Sequence, residues 1–133
     1  MNTRDLRAAR ARYCYDEAVR WKPEFRKEIT QRLKGLPVQM RSQGLANTLA
    51  LLMADDKFHV AVLAEILARW LLEKSPLRPL PETGGPAHWG APRRLLDACV
   101  KARRIEYAWA QIEAIALMDQ LKLFAGALAA SED

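Results

Sequence analysis

Cysteine is scarce in this chain of 133 residues, which holds only Cys14 and Cys99. The two lie far apart inside helical patterns, which suits reduced, buried thiols in a cytosolic protein better than a disulfide framework. Long apolar runs are missing as well. The longest, around Leu49 to Ala54 and Val60 to Ala64, fall far short of the roughly 20 residues that span a bilayer, and the arginine-bearing N-terminus has no apolar signal-peptide core. A soluble, cytoplasmic protein is expected. Catalytic equipment is also absent: there is no Gly-x-x-x-x-Gly-Lys-Ser/Thr phosphate loop, no Gly-x-Ser-x-Gly elbow, no His-Glu-x-x-His and no Cys-x-x-Cys. The four soft ligands, Cys14, His59, His88 and Cys99, match no usual zinc spacing. His59 lies beside an apolar helix face and reads as a packed or surface histidine rather than a general base. Asp55 and Asp56 are adjacent carboxylates without a third ligand nearby, so they read as a helix cap rather than a cation site. No enzymatic activity, metal or cofactor is expected.

What the chain has in quantity is helix-forming apolar sequence. Half of its residues are apolar, enough for one domain to bury a core without staples. From Arg104 to Ala130 nothing breaks a helix before Gly126; such a segment is roughly 40 Å long and can run the length of a small domain. Its polar residues fall on two lines, Glu106, Glu113 and Gln120 on one and Gln111, Asp119 and Lys122 roughly opposite. Ile105, Trp109, Ile112 and Ala116 fill one gap between the lines, and Tyr107, Ala110, Ala114 and Leu121 fill the other. The pattern predicts a central helix packed on both sides.

The rest reads as shorter helices. Asn2 or Thr3 can cap a first one, through Leu6, Ala9, Tyr13, Ala18 and Trp21, ending near Trp21 or Lys22 because Pro23 follows. Pro23 to Lys34 forms a second with Phe25, Ile29 and Leu33 on one face. Gly35 suits a helix stop, Pro37 opens a short segment ending near Gly44, and Leu45 to Met53 continues helically. After Asp56, the positions Phe58, Val62, Ile66 and Trp70, broadened by Leu63, Leu67 and Leu71, make a clean amphipathic helix. Ser75 to Pro92 holds five of the seven prolines and three of the six glycines and reads as an irregular loop. Trp89 within it is expected to pin the loop onto the bundle. Pro92 then begins a helix through Leu95, Leu96, Cys99 and Val100. The fold class is all-α, a single-domain bundle of about six helices around the long C-terminal one.

Charge is unevenly placed. Residues 1–34 hold ten Lys and Arg against five Asp and Glu, whereas residues 35–133 hold eleven against eleven, so the net +5 lies in the first quarter. Arg4, Arg7 and Arg10 recur about one turn apart, Arg26 and Lys27 follow, and Arg93, Arg94, Lys101, Arg103 and Arg104 make a second cluster. Either cluster is a solvated helix face or a footprint for a polyanion.

Several stretches are more particular. The run Leu36-Pro37-Val38-Gln39-Met40-Arg41-Ser42-Gln43-Gly44-Leu45-Ala46-Asn47-Thr48-Leu49-Ala50-Leu51-Leu52 resembles the Leu-Pro-x-x-Ile-x-x-Asn-Gly-Leu-x-x-Ala-Leu-Ala-Phe-Leu signature of the small helical subunit of the type III-B CRISPR effector, the Cmr complex. Tyr107 to Leu128 resembles that family's last helix, through Glu113-Ala114-Ile115-Ala116-Leu117 and Gln120-Leu121-Lys122-Leu123-Phe124-Ala125. Arg7 to Tyr13 echoes an early Arg-Ala-x-x-Ala-Tyr pattern, and Trp70-Leu71 a helix ending in Trp-Leu. Gln43, Gln120 and Leu123 depart from the usual Asn, Trp and Arg, so Lys122 alone carries over a phosphate contact at that last site. The resemblance implies a break between the last two helices near Lys101 to Arg104. It also implies a non-catalytic subunit of a CRISPR ribonucleoprotein that stacks in several copies, beside backbone and other effector subunits, where guide and target RNA are paired. Recognition would then be of RNA backbone, independent of sequence. The residues expected to contact RNA are Arg4, Arg7, Arg10, Arg26, Lys27, Arg93, Arg94, Arg103, Arg104 and Lys122, with Arg41 a weaker candidate. Two other readings remain, a helical protein adaptor without RNA binding and a DNA-binding regulator; Leu45 to Met53 has almost nothing with which to read base edges.

Overall fold

The computed structural model describes residues 3–82 and 85–131, with the backbone alone for Thr3 and Arg4. Among these residues seven α-helices follow one another: α1 Thr3–Ala18, α2 Pro23–Leu33, α3 Leu36–Gln43, α4 Leu45–Ala54, α5 Phe58–Arg69, α6 Ala91–Lys101 and α7 Arg104–Ser131. Among the described residues there is no strand, so the all-α class holds. The reading of about six helices around a long C-terminal one holds, with the short segment opened by Pro37 forming a helix of its own. Asn2 lies outside the described residues, and α1 ends at Ala18, earlier than Pro23 alone would require. Its frayed end is held by Arg26, whose Nη2 donates to the carbonyls of Ala18 and Trp21 at 3.2 and 3.0 Å.

Helix α7 is the axis of the bundle. Arg10 meets Glu113, and the Cys14 thiol approaches the Leu117 carbonyl, four residues further along both helices, so α1 runs parallel to α7. The α3 side runs the other way: Lys34 meets Lys122, Arg41 meets Asp119, and Leu45 meets Gln111. Helices α4, α5 and α6 pack on one another behind this layer. Ile29, Leu33, Leu36, Met40, Leu49, Leu52, Leu63, Leu67, Leu95, Leu117 and Leu121 fill the space between and are fully buried. A π turn, Trp70–Lys74, closes α5, with the Ser75 amide reaching back to the Trp70 carbonyl at 2.8 Å. Such turns are rare single-turn features; here it leaves Trp70 buried against Tyr13, ring centroids 5.1 Å apart.

Both polar lines of α7 prove to be seams where other helices attach. On the first, Glu113 accepts both arms of Arg10 at 2.7 and 2.8 Å and the Trp70 indole N–H at 2.9 Å. On the second, Gln111 Oε1 accepts the Leu45 amide at 3.1 Å, Asp119 pairs with Arg41 at 2.9 Å, and Lys122 donates to the Lys34 carbonyl at 3.2 Å. Beside the Gln111 contact the Tyr107 hydroxyl accepts the Ala46 amide at 2.9 Å, so α7 side chains satisfy the first turn of α4. The chain reaches that position through Gly44, at φ +89° and ψ 163°, a region essentially reserved for glycine. An added Cβ there would sit 3.2 Å from the Tyr107 hydroxyl.

Two expectations are corrected. Asp55 and Asp56 do not cap α5: the N-cap is Lys57, and Asp55 Oδ1 instead accepts the Lys57 amide at 2.9 Å, tightening the turn before the helix. Nor is α7 packed on both sides. The gap holding Ala110, Ala114 and Leu121 faces the core, but Ile105, Trp109 and Ile112 are 58 %, 50 % and 60 % exposed.

Candidate nucleic-acid interface

The ten cations singled out by sequence divide sharply once their partners are known. Arg10 is turned inward: its side chain is 13 % exposed, its bidentate partner Glu113 only 4 %, and the ion pair raises its already high pKa. Arg26 is buried and caps α1, as described above. Arg94 holds the loop, donating to the Trp89 and Ala87 carbonyls at 3.0 and 3.2 Å. Arg93 lies over the Trp89 ring, 4.4 Å from its centroid, in a cation–π contact. That ring also packs so closely on Gly85 that a Cβ there would collide with it; Trp89 is thus engaged within the loop and with α6. Lys122 is exposed but spends one hydrogen bond on the end of α2.

The outward-facing group is smaller. Arg7, Lys27 and Arg104 are exposed, and Arg103, 78 % exposed, is tied only to Glu106, whose carboxylate also accepts the Arg103 amide at 2.7 Å and thereby caps α7. These cap contacts hold the Glu106 carboxyl below its ordinary pKa. Arg4 has no described side chain. Because α1 and α7 are parallel, their N-termini lie at the same end of the bundle, and Arg7, Arg103 and Arg104 come to that end with them. The start of α4 joins them there, docked on Tyr107 and Gln111. A cation at a helix N-terminus opposes the helix dipole at a cost of about 0.3–1 kcal/mol; Arg104 is such a cation on α7, Arg103 beside it pairs with Glu106 at 3.2 Å, and Arg7 lies past the first turn of α1. Their placement concentrates positive potential at that end of the bundle. The sequence reading left Arg12, Arg20 and Lys101 out of the expected contact set; in the structure they are exposed, Arg12 pairing with Asp16 at 3.8 Å, Arg20 with the buried Glu17 at 3.7 Å and Lys101 with Asp97 at 3.0 Å.

Among the described residues no three His, Cys, Asp or Glu side chains gather to hold a metal, and no helix is long and apolar enough to cross a membrane. Cys14 and Cys99 are free and buried, their thiols pushed up to about 12 by loss of solvent. His59 sits on α5 with Nδ1 3.3 Å from Glu28.

Fold and surface together define a small all-α subunit that offers a basic end and an apolar helix face, built on an interior that is fully committed to packing. A sequence profile of the CRISPR-associated protein family Cas_Cmr5 matches residues 6–128, and the chain belongs to that family. It is thereby a small subunit of the type III-B Cmr complex, a structural component of the effector. Its fold is similar to the crystal structure of a CRISPR-associated Cmr5 family protein from Thermus thermophilus, with a TM-score of 0.69 at 25% identity over 96% of this chain and 98% of that one. No curated protein matches the sequence.

Proposed function

We propose that this chain is a non-catalytic, cytoplasmic subunit that stacks in several copies within a type III ribonucleoprotein and steadies target RNA through its phosphates. The observation that carries the reading is the parallel placement of α1 and α7, which brings the exposed Arg7, Arg103 and Arg104 to one end of the bundle. Phosphate oxygens recognise such a group without regard to base sequence, leaving specificity to guide pairing. Arg10 and Arg26 leave the proposed contact set because each is committed inside the bundle; Lys27 remains on the flank, and Arg93, Arg94 and Lys122 are secondary, already bound to their own chain. A DNA-reading role is disfavoured by α4, whose Leu45, Thr48, Leu49 and Leu52 are all buried.

The test is purification of the tagged full chain from its host, with mass spectrometry of what accompanies it and sequencing of bound RNA. Recovery of the other effector subunits with guide RNA is the expected result. Recovery of the chain alone, or with partners but without RNA, would overturn the reading and favour a protein adaptor.

A further inference from the structure

A hollow opens beside the basic end of the bundle. Leu77 and Pro79 of the loop form one wall, and Ile105, Glu106 and Trp109 at the start of α7 form the other. Ile105 and Trp109 stand one turn apart on the same face of the helix, and both are at least half exposed. The loop wall is held in place: Ser75 is buried, its Oγ accepts the Leu77 amide at 3.2 Å, and its own amide donates to the Trp70 carbonyl at 2.8 Å. The hollow measures about 270 Å³, just under the roughly 300–1,000 Å³ of sites that enclose a whole drug-sized molecule. It suits one planar ring system, with the Trp109 indole as the surface to stack on.

Cations stand on both walls. Arg78, between Leu77 and Pro79, is exposed and donates from Nε to the Ser75 carbonyl at 3.4 Å. On the other wall Arg103 and Arg104 directly precede Ile105. The carboxylate in the lining, Glu106, is met by Arg103 at 3.2 Å, so its charge is already compensated. An apolar ring site flanked by guanidinium groups fits a base of single-stranded nucleic acid: stacking holds the ring and cations hold the phosphates beside it, whichever base is present. An aliphatic side chain from a protein partner would gain from the walls and nothing from the three guanidinium groups.

We propose that this hollow seats a nucleobase of the RNA strand held at the basic end, turned out of its own stack and laid on Trp109, with the adjoining phosphates on Arg78 and on Arg103 and Arg104. The inference rests on the reading above that this end meets RNA, and adds a base contact to it.

The test uses the effector reconstituted with guide RNA and with targets carrying 4-thiouridine at one position at a time. Irradiation should attach the probe to Trp109 or its neighbours in the hollow at particular positions of the target. Trp109→Ala should speed target release about fivefold or more, the loss of at least one stacking contact, and Trp109→Phe, which keeps a ring, should restore most of the hold. On a target abasic at the crosslinked nucleotide, Trp109→Ala should make no further difference. Trp109 is half exposed, and unaltered circular dichroism of the full chain shows that the variant folds. Release indifferent to Trp109→Ala, or a hollow without probe while peptides bearing Arg7 are labelled, overturns this inference and leaves the RNA reading standing. Loss of the folded Trp109→Ala chain from the purified effector also overturns it, because the hollow then takes a side chain of a protein partner. A chain that carries no RNA at any position overturns both.

Discussion

Removing the Glu113 carboxylate should be among the most damaging single changes in this protein. Glu113→Ala leaves the Arg10 guanidinium with a side chain only 13 % exposed and no counter-charge, and takes the acceptor from the Trp70 indole. Breaking a buried pair in this way costs about 3–5 kcal/mol, against a total stability of about 5–15 kcal/mol for a domain. At roughly 3–6 °C per kcal/mol for this size, the thermal midpoint should drop by roughly 10–30 °C. Arg10→Met alone should cost a similar amount, since it strands Glu113. The double variant Arg10→Met with Glu113→Leu should recover most of the loss, because well-packed apolar replacements of a buried pair are often neutral. Urea unfolding followed by circular dichroism for the wild type, Arg10→Met, Glu113→Leu and the double variant gives the coupling directly, expected at about 5 kcal/mol or more if each single costs about 3–5 kcal/mol and the double little. Single losses under about 1 kcal/mol, or a double loss equal to their sum, would show that the Arg10–Glu113–Trp70 cluster does not hold α1 and α5 to α7.

Gly44→Ala should cost about 1–3 kcal/mol in the same assay, since φ +89° is closed to alanine and its Cβ would crowd Tyr107. Tyr107→Phe should cost about 1 kcal/mol by removing the acceptor for the Ala46 amide. Burial raises both thiols from 9.0 to about 12; the unfolded chain therefore releases these protons first, so their contribution to stability is complete below pH 9 and lost as the pH rises towards 12. A pH series of urea midpoints should fall over that window, and should fall less in a Cys14→Ala, Cys99→Ala chain. In the assembled effector, Arg7→Glu with Arg104→Glu should weaken target RNA binding and flatten its salt dependence by about 0.7 for each phosphate no longer neutralised, whereas Arg10→Met with Glu113→Leu should leave the salt slope unchanged.

Much of the fold was legible because periodicity reports which residues share a face. The long C-terminal helix, the proline-opened segments and the irregular stretch after Ser75 all follow from local signals; the break before Arg104 came from the family resemblance. Azimuth was harder. The spacing of Glu106, Glu113 and Gln120 marks a stripe without saying that Arg10, 103 residues earlier, will claim its centre. For the same reason the two apolar gaps of α7 look alike in sequence, and only the placement of α1 and α3 decides that Ala110, Ala114 and Leu121 are covered while Ile112 is not. The candidate cations were the least legible. A guanidinium on a flexible stem can reach outward to a phosphate or inward to a helix end, as Arg26 does, and charge counting treats Arg7 and Arg10 as equals.

Ultraviolet crosslinking of the intact effector carrying guide and target RNA, with mass spectrometry of the crosslinked peptides, tests the central claim most directly. Peptides bearing Arg7 and Arg103–Arg104 should carry target-strand nucleotides. Crosslinks absent from this chain while neighbouring subunits are labelled, or confined to its opposite end, would contradict it.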